Sequence, residues 1–205
     1  MKVIILAAGY ATRLYPLTLT QPKPLLPVAG KPMVEHVLDN LAPIPGIDRI
    51  YVVTNAKFAD HFQKWADHYR ATKSKLDFTI CNDRSTDDTN KLGAIGDINF
   101  VLDTQKVDDD LIVVAGDNLF SQQLSDYGRV CREKNAPVLA LYDVGNLEEI
   151  KKYNSITVDG DGKITFFEEK PKNPTSTLTG IALYYYPRHI VPLIKQYIAE
   201  GNNPD

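Results

Sequence analysis

The stretch Lys2-Val3-Ile4-Ile5-Leu6-Ala7-Ala8-Gly9-Tyr10-Ala11-Thr12-Arg13 decides the fold. A short, nearly continuous apolar run gives way to small residues and a glycine, then to a hydroxyl and a guanidinium. Strands buried on both faces of a sheet read this way, without polar alternation. A signal peptide fits less well, because the apolar run is short, a single Lys precedes it and Arg13 follows almost at once. Outward from this stretch, residues 50–53, 76–80 and 111–114 repeat the apolar run. Segments of helical period lie between them. Pro32 suits a first helical position, after which Val34, Val37, Leu38 and Leu41 share one face. Asn55 is a candidate N-cap for a second helix with the stripe Phe58, Phe62, Trp65 and Tyr69. Ile95, Ile98, Val101 and Leu102 form a third stripe. A β-α-β-α order implies a parallel sheet with right-handed crossovers and helices on both faces.

The later sequence changes character. Residues 156–158 and 164–167 flank Asp159-Gly160-Asp161-Gly162, a hairpin signal. A strand over 181–186 and a helix over 191–198 follow. The expected class is therefore α/β, a Rossmann-like open mixed sheet, mostly parallel, with helices on both faces and a hairpin in its second half. No repeat or Ser/Gly linker divides the 205 residues, so a single domain is expected, with halves at about 1–120 and 121–205. The closing Gly201-Asn202-Asn203-Pro204-Asp205 is turn chemistry, from which an incomplete C-terminus is expected.

Composition narrows the function. With 23 Lys plus Arg against 26 Asp plus Glu, the net charge of −3 gives no electrostatic case for binding nucleic acid or a membrane surface. No apolar run approaches the roughly 18 residues of a membrane span. Cys81 and Cys131 make no disulfide framework and read as small apolar residues in a reducing compartment, so a cytoplasmic protein is expected.

Ligands of open α/β sheets sit at the carboxyl ends of the strands, which directs attention to the loop after the first one. The small residues Ala7, Ala8, Gly9 and Ala11 let a ligand approach the backbone and leave amide N–H groups for anionic oxygens. Thr12 adds a hydroxyl, Arg13 a planar fork suited to phosphate, and Lys23 a compact charge held between Pro22 and Pro24. The pattern is neither the G-x-x-x-x-G-K-[ST] phosphate loop nor the dinucleotide G-x-G-x-x-G. A long surface loop with incidental charges is the competing account, but structureless loops of this length are uncommon unless functional or disordered. Later, Gly116-Asp117-Asn118 ends a buried strand. A turn capped by the Asp explains these residues as well as a cation site does.

Gly9, Thr12-Arg13-Leu14, Pro16-Leu17-Thr18 and Pro22-Lys23-Pro24-Leu25-Leu26-Pro27-Val28 together resemble the signature of the sugar-phosphate nucleotidyltransferases, which include glucose-1-phosphate thymidylyltransferase and mannose-1-phosphate guanylyltransferase. Ala8 and Ala11 depart from it, standing where that family usually has glycine. The resemblance covers nearly the whole chain. It implies transfer of a nucleotidyl group from a nucleoside triphosphate, dTTP or UTP, to a sugar 1-phosphate, glucose 1-phosphate by default, with release of pyrophosphate. Arg13 and Lys23 are then the catalytic residues. Leu6, Ala7, Ala8, Gly9, Thr12, Asn82 and Gly93 bind the nucleotide, and Asp117 holds Mg²⁺. Asn118, Asn154, Glu169, Lys170, Thr179 and Gly180 contact the sugar phosphate, so the first half serves the nucleotide and the second the sugar. Asn82, followed by Asp83-Arg84-Ser85, and Asn154 depart from the family's usual strings, which bears on which base and which sugar are taken. The family draws a second metal carboxylate from an Asp-x-Gly string, which this sequence ends before reaching. Many members self-associate, which leaves a homo-oligomer open.

Two other readings compete. A nucleotide-sugar glycosyltransferase would need an Asp-x-Asp motif after the fourth strand, which Gly116-Asp117-Asn118-Leu119 does not supply. A non-catalytic paralogue that binds nucleotide or sugar phosphate is favoured by the lack of a second carboxylate and disfavoured by Arg13, Lys23, Asp117 and Lys170 occurring together.

Overall fold

A computed structural model describes residues 1–73 and 76–205. The chain order begins β1 (Lys2–Leu6), β2 (Pro27–Val28), β3 (Lys31–Pro32), α1 (Met33–Leu41), β4 (Arg49–Thr54), α2 (Ala59–Thr72), β5 (Asp77–Asn82), α3 (Ala94–Thr104) and β6 (Leu111–Ala115). It continues with α4 (Ser125–Lys134), β7 (Val138–Asp143), α5 (Leu147–Ile150), β8 (Asn154–Val158), β9 (Ile164–Glu169), β10 (Leu178–Tyr186) and α6 (Val191–Ala199). Two compact units result, one of Met1–Val138 with Tyr184–Asp205 and one of Leu139–Leu183.

In the first unit the strand order is β5-β4-β1-β6, with β10 beyond β6. β1 runs parallel to both β4 and β6, and β4 parallel to β5. The apolar runs thus form the parallel sheet that their lack of alternation implied. Side chains alternate across it. Ile4, Tyr51, Val53 and Val113 face one way and pack with Ile98, Val101 and Leu102 of α3 and Val191 of α6. Phe78 sits beside Ile50 in register and meets Trp65 of α2 edge-on, at 5.7 Å between ring centroids. Since Ile50 points opposite to Tyr51, helices cover both faces.

Local chemistry shifts two helix starts. Pro32 precedes α1 with extended backbone (φ −54°, ψ 144°) and pairs with Pro27 in the β2–β3 ribbon. Asn55 does not cap α2. Its Oδ1 accepts from the Phe58 amide at 3.1 Å, closing a turn before the helix, and its Nδ2 donates to the Ala8 carbonyl at 2.8 Å. The amide thereby ties the end of β4 to the loop after β1. Beneath, the Trp65 indole N–H donates to Oε1 of buried Glu35 at 3.2 Å, and Lys73 pairs with Oε2 at 2.6 Å. Ahead of β6, Asp108 and Asp110 hold Arg188, by its guanidinium and its backbone N–H respectively.

The second unit is antiparallel. β8 pairs with β9 around the Asp159–Gly162 turn, and Leu178 of β10 faces Ile156 of β8. Gly162 supplies the positive φ (+78°) that the turn needs. β7 pairs with β10. No helix among the described residues is long and apolar enough to cross a membrane. Cys81 and Cys131 are buried free thiols, each pushed up to about 11 by burial.

Within the first unit α4 packs through Gly128, where an added Cβ would stand 2.7 Å from Ile44 Cγ2. Ile44 is buried and stiff at χ1. Overpacking costs about 1–3 kcal/mol, against roughly 1 kcal/mol of helix propensity gained. Gly128→Ala is therefore expected to lower unfolding stability by about 1 kcal/mol, read as a lower urea midpoint at unchanged m-value.

Candidate functional site

The site begins where three strands end together. Leu6 lies in register with Val53 on one side and Ala115 on the other. Two backbone bonds carry the pairing one step on, Ala7 N–H to Val53 O and Gly116 N–H to Leu6 O, both 2.9 Å. Past that line the first chain leaves the sheet. A cavity of about 590 Å³ opens there, within the usual range for a small-molecule site. Leu6, Ala7, Gly9, Thr12, Arg13, Lys23 and Asp117 are among the residues that line it.

Residues 7–24 are folded rather than loose. Thr12–Leu14 form one 3₁₀ turn, entered by Ala11 in the left-handed conformation (φ 48°, ψ 44°). The Ala11 carbonyl accepts from the Leu14 amide at 2.9 Å and from the buried Thr18 hydroxyl at 2.8 Å, which fixes the turn. Arg13 makes no ion pair with a described residue, so a guanidinium at the cavity wall is left for an anion. A second 3₁₀ turn, Lys23–Leu25, buries Pro24 and Leu25 and leaves the Lys23 side chain at the cavity.

Lys23 Nζ lies 2.5 Å from Asp117 Oδ2, joining residues 94 positions apart. Gly116 allows it. A Cβ there would come within 3.0 Å of Ile5 Cγ2, 3.2 Å of the Leu6 carbonyl and 3.3 Å of Pro24 Cβ. The glycine before the carboxylate is thus a packing requirement that lets the lysine turn lie against the end of β6.

Other expected nucleotide residues stand apart from the cavity lining. Ala8 is buried, with its carbonyl held by Asn55. Asn82 is exposed, and its Oδ1 accepts from the Arg84 amide at 2.8 Å, an Asx turn that leaves its nitrogen as donor. Gly93 is buried under the chain's own last residues: a Cβ there would lie 2.6 Å from the Pro204 carbonyl, which already accepts from Ile95 N–H at 2.8 Å and Gly96 N–H at 3.1 Å. Asn118 follows Asp117 but is not in the lining, its amide bonded to the Ala115 carbonyl at 3.3 Å.

In their stead Asp88 and Lys91 line the cavity, together with Tyr10. Sequence reading passed over both charged residues. The available signal is turn chemistry: Asp87 Oδ1 accepts from the Thr89 amide, and Asn90 Oδ1 from the amides of Thr86 and Asp87. These bonds curl 86–90 on itself. Burial raises the Tyr10 phenol, reinforced by the charges of Asp83, Asp87 and Asp88.

The second unit gathers its own set. Asn154 Oδ1 accepts from the Gly180 amide at 2.7 Å and the Thr179 hydroxyl at 3.1 Å. Glu169 is the register partner of Asn154. Lys170 follows with φ +46°, its amide bonded to the Tyr153 carbonyl at 2.7 Å. Five expected sugar-phosphate residues therefore form one cluster, with Asn154 at its centre. Gly180 has a packing reason as well, since a Cβ would come within 3.0 Å of Leu139.

Among the described residues no group of three His, Cys, Asp or Glu side chains could by itself hold a metal ion. Two carboxylates, Asp88 and Asp117, line the cavity, and a hard divalent cation takes one or two protein carboxylates and completes its shell with water and substrate phosphate oxygens. Asp117 could supply one of them.

Comparison with known proteins adds a family. The model of the family described as nucleotidyl transferase matches residues 2–204. A putative mannose-1-phosphate guanyltransferase of Sulfolobus acidocaldarius is 32% identical over 194 residues, which are 93% of this chain and 50% of that protein. A UTP–glucose-1-phosphate uridylyltransferase of Haloferax volcanii is 31% identical over 186 residues, 91% of this chain and 72% of that one. Among solved structures, a putative glucose-1-phosphate thymidylyltransferase from Bacillus anthracis in complex with a sucrose superposes with a TM-score of 0.78 at 27% identity, over 99% of this chain and 76% of the other. The chain spans about half the length of several curated relatives it matches.

The left-handed backbone at residue 11 yields a prediction about the turn that carries Thr12 and Arg13. An alanine at φ 48° costs about 1 kcal/mol relative to glycine. Ala11→Gly is expected to raise stability by up to that amount, offset in part by the added freedom of the unfolded chain, measured by equilibrium urea unfolding. A loss of stability would show that the alanine methyl packs more favourably than its backbone is strained.

Proposed function

The chain belongs to the nucleotidyl transferase family, and from that premise we propose that it joins a nucleoside triphosphate to a sugar 1-phosphate. The observation that carries the reading is the convergence of Arg13, Lys23 and Asp117 on one cavity at the ends of β1 and β6. An oxygen of the sugar 1-phosphate attacks the α-phosphorus of the triphosphate. The bond from that phosphorus to the bridging oxygen breaks, and pyrophosphate leaves with the electron pair. The nucleophile is already anionic at neutral pH, so no strong general base is required. The protein aligns anionic groups and offsets their charge as it shifts.

In this reading the free guanidinium of Arg13 and the small-residue loop at Ala7 and Gly9 receive the β- and γ-phosphates. Lys23 exchanges Asp117 for the α-phosphate and the incoming phosphate. Asp117 is then free to hold Mg²⁺, which, when bound, would neutralise phosphate charge at the reacting centre. In the second unit the cluster of Asn154, Glu169, Lys170, Thr179 and Gly180 is assigned to the sugar phosphate, with support from its gathering around one amide. Glucose 1-phosphate and a uridine or thymidine triphosphate are the proposed substrates. Relatives named for uridylyl, thymidylyl and guanylyl transfer support the reaction type more than the choice of base.

Removing one charge-stabilising donor typically raises a barrier by about 3 kcal/mol, roughly a hundredfold in rate. Lys23→Ala is expected to lower kcat by at least that factor with an unchanged circular-dichroism spectrum. The assay is pyrophosphate release by the full protein from a panel of nucleoside triphosphates with a panel of sugar 1-phosphates, glucose 1-phosphate first, and Mg²⁺. Near-normal turnover in the variant removes Lys23 from the mechanism, and no release with any sugar 1-phosphate leaves the binding paralogue as the better reading.

A further inference from the structure

Behind the Tyr10 wall of the cavity lie two carboxyl groups that the proposed reaction does not use. Asp83, just past β5, and Asp97, in the first turn of α3, are each 6% exposed. Asp83 is held in place: Oδ1 accepts from the Ser85 amide and hydroxyl, both at 2.7 Å, and Oδ2 from the same hydroxyl at 2.9 Å, which leaves Oδ2 able to accept once more. Asp97 faces it and has an oxygen, Oδ1, that is buried and meets no donor. An ionised carboxylate in that position would be desolvated, unpaired and beside a second negative charge, which is costly. A proton removes all three penalties, because a protonated carboxyl donates to its neighbour.

We propose that Asp97 and Asp83 share one proton, and that the resulting bond between them positions the part of the cavity lining that Tyr10, Asp88 and Lys91 supply. The route is short. The amide of Asp83 bonds to the Thr54 carbonyl at 2.9 Å, and the Ser85 carbonyl accepts from Ala56 at 2.9 Å, so the pair anchors the start of the loop that carries Asp88 and Lys91 into the cavity. Tyr10 stands close enough to Asp83 to feel its charge. Asp97 and Asp83 are thus positioning residues.

The groups around the pair point the same way. From the loop after β5 comes Asp83, from the terminal segment Asp205, and both disfavour a charge on Asp97. From the loop after β1 comes Tyr10, neutral and itself shifted upward, with Asp87 and Asp88 on its far side. Of the cations in this loop, Lys91 is paired with Asp205 at 3.1 Å, and Arg84, next to Asp83, is exposed. Burial, the largest cause, and Asp83 push the Asp97 carboxyl up to about 8. In the unfolded chain it titrates near the usual value of about 3.9. Between those values the folded state holds the extra proton, so this contribution is complete below about pH 4 and is lost as pH rises through about 8.

Asparagine carries a permanent donor where the protonated acid carries its hydroxyl. Asp97→Asn should keep the wild-type urea midpoint near pH 6 and lack the fall in midpoint that wild type shows between about pH 5 and pH 9. Asp97→Ala should lose stability throughout. Isotope-edited infrared spectra of the wild type near pH 6 should contain a protonated-carboxyl band that Asp97→Asn removes. No such band, a pH slope equal in Asp97→Asn and wild type, or an Asn variant as unstable as the Ala variant near pH 6 overturns the shared proton, the last being what a bound cation in its place would give. The positioning role rests on the nucleotidyl-transfer reading. It requires the KM for the triphosphate to rise severalfold from pH 7 to pH 9 in wild type at nearly constant kcat, and to stay level in Asp97→Asn. A level KM in an active wild type overturns that role alone. Absent turnover would count against the reaction, with the melts and spectra still deciding the proton.

Discussion

The alignment of β1 between β4 and β6 is the constraint on which the site depends. Three parallel strands end at one line, Leu6 beside Val53 and Ala115. A slip of one residue would swap Ile4 and Ile5 between the two faces and set each against the wrong helix layer, undoing the packing on both sides. Burial therefore fixes the register. The register in turn delivers the loop after β1 and the carboxylate after β6 to one rim, so apolar packing in the sheet sets the geometry of charged groups outside it.

At that rim the chain favours close approach over local comfort. Gly116 has a hard steric reason to lack a side chain, since Ile5, Leu6 and Pro24 crowd the place a Cβ would take. Ala11 accepts a left-handed backbone so that its carbonyl can receive both Leu14 and Thr18. The Lys23–Asp117 pair contributes little to stability, because its side chains remain 36% and 33% exposed, and pairs of that kind give at most about 1 kcal/mol. Its significance is chemical. In the proposed reaction Lys23 would turn to a phosphate and Asp117 to a cation, and the pair holds both side chains at the cavity until then.

Much of this was legible in the sequence because apolar periodicity and proline placement act locally. The four parallel strands, the stripe from Phe58 to Tyr69 and the hairpin at Asp159–Gly162 follow from residues a few positions apart. Lys23 and Asp117 were nameable separately, but their contact depends on Gly116 fitting against Pro24, which no local pattern encodes. α4 and β7 escaped notice for a related reason. α4 buries only Gly128 and Cys131, and β7 is half-buried to exposed along its length, so neither carries a stripe. Asp88 and Lys91 reach the cavity through a curl of Asx bonds, whereas Gly93 is sealed by Pro204, a contact between residues 111 positions apart. Asp83 and Asp97 are ordinary acids on paper. Their burial is a product of tertiary packing alone.

Trp65, the chain's sole tryptophan, is buried on α2 with its ring against Phe62 and Phe78 and its N–H on the Glu35 carboxylate. Tryptophan fluorescence of this protein therefore originates entirely within the first compact unit, at a wholly internal fluorophore with a charged neighbour. Leu139–Leu183 contributes tyrosine emission only. Excitation at the red edge thus isolates the parallel-sheet unit optically, whereas tyrosine absorbance does not isolate the other, because nine of the eleven tyrosines also lie in the first unit.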